Sequence, residues 1–194
     1  MTADLKLKVR DDVYLSSVTF GDKPALLEHF RTRDVYNTTL NIPFPYLEEH
    51  ADWWLQKRIE QTGRIGKEVC FAIRTSSEGK LIGCISADTL EPGTTHKAEI
   101  GYWLAKPFWS RGIMTDVVRA YVDYAFRELK LKRLTAHTFE FNLASARVLE
   151  KNGFKLEGRL RKHLLKDGKL IDARFYGLLK EDLKRQWISY CKRR

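Results

Sequence analysis

The sequence predicts a mixed α/β (α+β) domain, with helices packed on a twisted and largely antiparallel sheet. Three observations point there. Period-two runs rich in β-branched and aromatic residues alternate with amphipathic stretches of helical period. Three of the strand-like runs follow one another across short turn-forming segments, which reads as an antiparallel meander. The chain has 194 residues, 43% hydrophobic and 12% aromatic, which suits one compact core and excludes intrinsic disorder.

Val13 to Val18 reads as a first strand. Lys23 to Thr32 reads as a helix entered at Asp22 and Pro24, the acid placed to cap it and the proline preset for its first turn. Prolines at 43 and 45 break any helix through IPFPY. Leu47 to Gln61 resumes one, with Ala51, Trp54, Leu55 and Arg58 at helical spacing. The period then changes. VCFAIRT, KLIGCISADTL and KAEIGYWLA are strand-like and are separated by SSEG and EPGTTH. Gly112 to Leu129 presents Ile113, Val117, Tyr121 and Tyr124 on one helix face, widened by Val118, Ala125 and Leu129. An apolar arc that broad lies flat on a sheet. Arg133 to Phe141 alternates as a strand, and Asn142 to Lys151 is a short helix stopped at Asn152 and Gly153. FKLEGRLRK and KLIDARFYGLL flank Asp167-Gly168, the dipeptide of a two-residue hairpin turn.

The net charge of +10 is unevenly placed. Residues 159 to 194 carry 12 Lys or Arg against four Asp or Glu, whereas residues 1 to 158 carry 23 against 21. A basic end of this kind is either a solvated face or a docking surface for nucleic acid, an acidic protein, an anionic cofactor or a membrane. Cys70, Cys84 and Cys191 show no metal-ligand spacing, and Cys70 and Cys84, in apolar strand-like runs, read as small core residues in a reducing compartment; His96, His137 and His163 show no metal spacing either, and no metal is expected. No stretch approaches the ~20 apolar residues needed to cross a bilayer, and the amino terminus has no apolar signal core. The expectation is one cytoplasmic domain spanning 1–194, with no membrane contact and a basic tail over 179–194.

The chemistry concentrates in EIGYWLAKPFWSRGIMT, residues 99 to 115. A strand ends near Leu104, a short loop follows, and Ser110, Arg111 and Gly112 lead directly into the long helix. Free backbone N–H groups at a helix start, aided by the macrodipole, form an anion site, and Gly112 lets a phosphate approach while Arg111 adds a cation. Ordinary turn chemistry is the plainer alternative for a lone glycine there.

This unit, together with DKPALLEHF, NIPFPY and NLASARVLEKNGFKLEGRLR, resembles the GCN5-related N-acetyltransferases (GNAT), and among them the ribosomal-protein-alanine acetyltransferases of the RimJ and RimL type. The resemblance implies the GNAT fold, with helices on both faces and acetyl-CoA as co-substrate between two splayed parallel strands at residues 97 to 105 and 132 to 141. It implies pantetheine pairing along Trp103, Leu104 and Ala105, with the Leu104 N–H stabilising the oxyanion. The pyrophosphate falls to the amides of Arg111, Gly112, Ile113, Met114 and Thr115. Trp109 and Met114 replace the first and last positions of the family's loop pattern; Trp109 is common in this branch, and Met114 is not. Met114 must turn its side chain away from the phosphates for the loop to serve.

In the same family an Asn at the exit of the second splayed strand bonds the pantetheine arm, a position Asn142 occupies. A Tyr seven residues later often protonates the leaving thiolate; here that position is Leu149, and Ser145 matches the serine used by this branch. Without the resemblance, Asn142 reads as a helix cap and Ser145 as idle. Arg147 and Lys151 offer cations to the phosphates. The proton acceptor is expected at Glu99, then Glu157, then His163, because the position that the branch uses beyond GF falls near Leu164, which accepts no proton. Phe44, Tyr46, Trp53 and Trp54 either line an acceptor pocket or form core under a helical cap.

The implied activity is direct transfer of acetyl to a primary amine, either a protein N-terminus or a small molecule. The contrasting possibility is a catalytically inactive, basic GNAT-fold module that binds RNA or the ribosome, motivated by Met114, Leu149 and Leu164. The basic carboxyl-terminal region is expected to meet the ribosome or an acidic protein if it docks, and a homodimer is compatible with the sequence.

Overall fold

The computed structural model describes residues 5–88, 90 and 95–183. Its strands are β1 (Leu7–Arg10), β2 (Val13–Ser17), β3 (Cys70–Thr75), β4 (Leu81–Asp88), β5 (Lys97–Leu104), β6 (Arg133–Phe139), β7 (Lys155–Lys166) and β8 (Lys169–Leu179). The helices are α1 (Lys23–His29), α2 (Arg33–Tyr36), α3 (Glu48–Ile65), α4 (Ile113–Arg127) and α5 (Leu143–Lys151). The strands form one sheet in the order β1-β2-β3-β4-β5-β6-β8-β7, antiparallel throughout except for β5 with β6. Among the described residues, no helix is long and apolar enough to cross a membrane.

Each face of the sheet buries its own core. On one, Val117, Val118, Tyr121 and Ala125 of α4 and Ala146 and Leu149 of α5 pack against Phe71, Ile85, Ile100, Leu134 and Ala136. On the other, Leu26 and Phe30 with Ala51 and Leu55 of α3 cover Cys70, Ala72, Leu81 and Cys84. The two cysteines lie 3.2 Å apart between adjacent strands as buried free thiols. Cys191 and the tail from 184 onward lie outside the described residues.

The element order follows the sequence pattern, with three differences. β1 precedes the expected first strand; Leu5, Leu7 and Val9 alternate with charged residues and reach the core edge. The first helix stops at His29, and the single turn α2 follows it as a separate element. Asp22 does not cap α1 with its side chain. It is 4% exposed, and its carboxylate accepts both Arg74 Nη atoms, at 2.6 and 2.9 Å, and the Thr19 N–H. A guanidinium fork on β3 outcompetes the helix amides because it supplies two charge-assisted bonds in one plane.

The terminal hairpin turns at Asp167-Gly168, where both residues have positive φ, 51° and 72°. That is the geometry of a type I′ turn, matched to the twist of the flanking strands. Within β7, Leu160 pairs with Ala173 and Leu164 with Ile171. Arg161, Lys162 and His163 therefore stand against the single residue Asp172, a wide bulge pinned by the Lys162 N–H on Asp172 Oδ1 at 2.8 Å.

Candidate active site

The sheet opens where β5 and β6 part. They pair in parallel at Lys97 with Arg133, Ala98 with Leu134 and Glu99 with Thr135, and the described residues show no pairing between them beyond that point. Alternation fixes which groups face the gap. Ala105 donates its N–H to Ile82 O at 2.8 Å, so the backbone groups of Trp103 and Ala105 point to β4 and those of Tyr102 and Leu104 to the gap. The expected edge of Trp103, Leu104 and Ala105 is corrected accordingly. The Leu104 carbonyl accepts from Trp109 Nε1 at 2.6 Å, which anchors the loop after β5. The Trp103 indole packs on Phe30, 4.6 Å between centroids, on the α1–α3 face.

The loop turns into α4 through positive φ at Ser110 (59°) and Gly112 (76°). A Cβ on Gly112 would meet nothing within 4 Å, so glycine is there for its backbone angle, and the space before it is open. Among the described residues no side chain caps α4, and Asp116 N–H to Gly112 O, 3.2 Å, is its first turn's bond. The N–H groups of Ile113, Met114 and Thr115 precede that bond. Met114 is 8% exposed and lies in the core, so its side chain points inward and leaves the loop's outer side clear. Arg10 of β1 donates to the Arg111 carbonyl at 3.2 Å, and the Arg111 guanidinium lies 5.6 Å from the Phe108 ring. Arg147 is exposed on α5. Asn152 joins the two helices, donating to Thr115 O at 3.1 Å and Val148 O at 2.8 Å.

On the far side of the gap, Asn142 Oδ1 accepts the Ser145 N–H at 3.1 Å, so Asn142 caps α5. Ser145 is not idle. Its Oγ lies 2.8 Å from the hydroxyl of Tyr102. Burial pushes that phenol well above its ordinary range, the Ser145 bond opposing the shift, so Tyr102 holds its proton at any physiological pH. Sequence reasoning missed Tyr102, although it lies two residues before Leu104 and so shares its face and its gap edge.

The opposite face carries the carboxylate. Glu99 Oε1 lies 2.7 Å from His137 Nδ1. The His163 ring, delivered by the bulge in β7, stacks on His137 at 5.2 Å, and Phe175 of β8 lies against it at 4.7 Å. Glu157 is elsewhere. It forms an ion pair with Arg133, at the end of β6 remote from the gap.

Glu99, Tyr102, His137, Asn142 and Ser145 wall an open cleft of about 840 Å³. Tyr46, Trp53, Trp54 and Leu164 line it, whereas Phe44 packs on Tyr36 and Arg33. Lys57 and Arg58 balance Asp88 and Glu99 along its sides. The hairpin tip closes one end: Lys166 donates to Thr39 O at 2.9 Å over the Tyr36 ring, and Tyr36 donates its hydroxyl proton to Asp167.

Residues 12–155 match the model of the acetyltransferase (GNAT) domain. The Bacillus subtilis (strain 168) protein "Probable N-acetyltransferase YjcK" is 42% identical over 127 residues, 66% of this chain and 68% of that one. The [ribosomal protein uS5]-alanine N-acetyltransferase of Escherichia coli (strain K12) is 25% identical over 114 residues, 59% of each chain. The structure of RimL, the ribosomal L7/L12 alpha-N-protein acetyltransferase, in complex with coenzyme A superposes with a TM-score of 0.80 at 22% identity, covering 90% of this chain and 98% of that one, which shows a shared fold.

Proposed function

The chain belongs to the GNAT family of N-acetyltransferases, and we propose that it transfers the acetyl group of acetyl-CoA directly to the α-amine of a protein N-terminus, with a small-molecule amine as the other acceptor class. The observation that carries this reading is the gap between β5 and β6, which opens beside an uncapped helix start. Among the described residues, the Tyr102 backbone groups and the Leu104 N–H on the gap edge have no strand partner, the Leu104 carbonyl being held by Trp109, and an amide-bearing pantetheine arm supplies one. The amides from Arg111 to Thr115 receive the pyrophosphate, with the inward turn of Met114 leaving them accessible. Arg111 and Arg147 add positive charge nearby, and Asn142 borders the pantetheine.

The thioester supplies an activated acyl carbon; the chain's own groups do the rest. The Leu104 N–H stabilises the developing oxyanion, a donor typically contributing ~3 kcal/mol to the barrier. Ser145, bonded to the protonated Tyr102, returns a proton to the departing sulfur. Glu99 stands across the sheet, on the side from which the amine arrives. The cleft's mixed charge disfavours a polycationic acceptor, and its open mouth with half-exposed Trp53 suits a chain end. Of the three departures that motivate the inactive-module reading, Met114, Leu149 and Leu164, the first is relieved by the inward turn of the Met114 side chain. The basic carboxyl-terminal region remains the candidate contact for a ribosome or acidic protein. Part of its charge is internal, since Arg159 and Arg174 pair with Glu140.

The test is a thiol-release assay with acetyl-CoA against amino-terminal peptides, amino acids, polyamines and aminoglycosides. Turnover with peptides above the rest is expected. Turnover confined to polyamines or aminoglycosides would reassign the acceptor, and none with any amine would remove the catalytic reading.

A further inference from the structure

We propose that His137, oriented by Glu99, is the group that takes the proton from the acceptor amine, so that Glu99 is a positioning residue rather than the base. This rests on the acetyltransferase reading above and deepens it. A carboxylate offers only acceptor atoms, so the 2.7 Å contact between Glu99 Oε1 and His137 Nδ1 requires the proton to sit on Nδ1. The neutral ring then carries its lone pair on Nε2. The ring lines the cleft, and its rotation is restrained by the stacked His163 and by Phe175.

Three separate features of the chain converge on this ring. Period two along β5 puts Glu99 on the face opposite Tyr102, so the acid and base sides of the gap are segregated across the sheet. The same period along β6 puts His137 on the face of Glu99, just past the last parallel pair, Glu99 with Thr135. The three-residue bulge in β7 carries His163 back over it. Among the described residues, the ionisable groups that face the pair are His163 from β7, Asp88 directly across from Glu99 on β4, and His50, Lys57 and Arg58 of α3, which line the same cleft, Arg58 holding Asp88 at 2.8 Å. With Asp88 neutralised by Arg58, Glu99 is the carboxylate that answers the charge His137 gains.

The step balances without further reagents. An ammonium N–H bond breaks, directly or through one water, and Nε2–H forms on His137. The freed lone pair makes the C–N bond while the carbonyl π pair moves onto oxygen, held by the Leu104 N–H; as the carbonyl re-forms, the C–S bond breaks and the sulfur takes its proton from Ser145. The nitrogen's second proton leaves through water and restores the Tyr102–Ser145 pair, and the imidazolium returns its own proton to water, so that one proton is released overall.

The test compares wild type with His137→Gln and Glu99→Gln between pH 6 and about 10, using an α-amino peptide that the wild type acetylates. An α-amine is mostly protonated at pH 7 and mostly neutral above about pH 9. A missing base is therefore felt at low pH and becomes irrelevant at high pH. His137→Gln is expected to lower kcat/KM by about 100-fold or more at pH 7, the deficit closing towards alkaline pH, with acetyl-CoA affinity unchanged. Glu99→Gln should show a smaller loss with the same convergence. A deficit constant across pH would mark a structural role and overturn the assignment, as would full activity of His137→Gln at pH 7. Nitrogen-15 NMR of the wild-type imidazoles gives an arm independent of turnover: an Nδ1–H tautomer at His137 is expected, and an Nε2–H tautomer overturns the proposal. A protein that binds acetyl-CoA yet acetylates no amine defeats the proposed function instead, and the tautomer still tests the Glu99–His137 geometry.

Discussion

Tyr102 of β5 and Ser145 of α5 meet through their hydroxyls at 2.8 Å, across the gap that the two diverging strands leave. Neither residue has that partner by local geometry; the contact exists because β5 keeps its face to α5 while β6 turns away. In the proposed reaction the phenol, which burial keeps protonated, can relay a proton to Ser145 and be replenished later.

Ser145→Ala and Tyr102→Phe should each lower kcat by about 100-fold while leaving acetyl-CoA affinity within about threefold. The double variant should lose little more than either single one, because the two hydroxyls act as a unit. Steady-state kinetics on the three variants reads this out. Additive losses would mean that the hydroxyls act separately.

Gly112 and Met114 make opposite predictions from adjacent turns of backbone. Gly112→Ala places a Cβ at φ 76°, costing about 1–2 kcal/mol of stability, and fills space that is otherwise open in front of the loop. Acetyl-CoA affinity by calorimetry should fall with it. Met114→Leu conserves volume in the core and should leave affinity unchanged, at a stability cost below about 1.5 kcal/mol. Weakened binding in Met114→Leu would mean that this side chain does reach the cofactor.

Asp22 and Arg74 should dominate the stability of the α1 face. Their side chains are 5% and 12% exposed, so Asp22→Ala strands a guanidinium in the interior and should cost about 3–5 kcal/mol in chemical denaturation. Loss of a helix cap alone would cost about 1 kcal/mol. The size of the effect therefore separates the two roles.

Burial raises the hydroxyls of Tyr46 and Tyr124 to about 12 and lifts Tyr102 and Tyr121 as well. An unfolded tyrosine ionises near pH 10. A folded value above the unfolded one stabilises fully below about pH 10, and that stabilisation is lost as pH rises through the folded values. Melting temperature should fall between about pH 10 and 12, with tyrosinate absorbance from these residues appearing together with unfolding. Their ionisation in the intact fold would contradict the sign.

The sequence carried the architecture because hydrophobic period is a property of single elements. The meander, the arc on α4 and the Asp167-Gly168 turn were all readable locally. β1 was readable too, since Leu5, Leu7 and Val9 alternate with lysine and arginine, but four residues give a short window. The site was half legible. Gly112, Asn142 and Ser145 stand out in their own segments. Glu99 with His137, Tyr102 with Ser145 and Asp22 with Arg74 join residues 38, 43 and 52 positions apart, and spacing along the chain holds no trace of such meetings. His163 required in addition a bulge, whose two extra residues look like ordinary strand until the partner register is known.

The three parallel pairs at Lys97, Ala98 and Glu99 are also a mechanical seam. Five strands lie on one side of it and three on the other. Each block is cross-linked along its length, so the sheet is least stiff where the blocks meet, and relative motion concentrates at that line. The Tyr102–Ser145 contact spans the seam from β5 to α5, and the Glu99–His137 contact spans it from β5 to β6. Any opening of the sheet therefore lengthens both contacts at once. In the proposed reaction, a ligand that laces the seam would fix the groups on its two sides in a single adjustment.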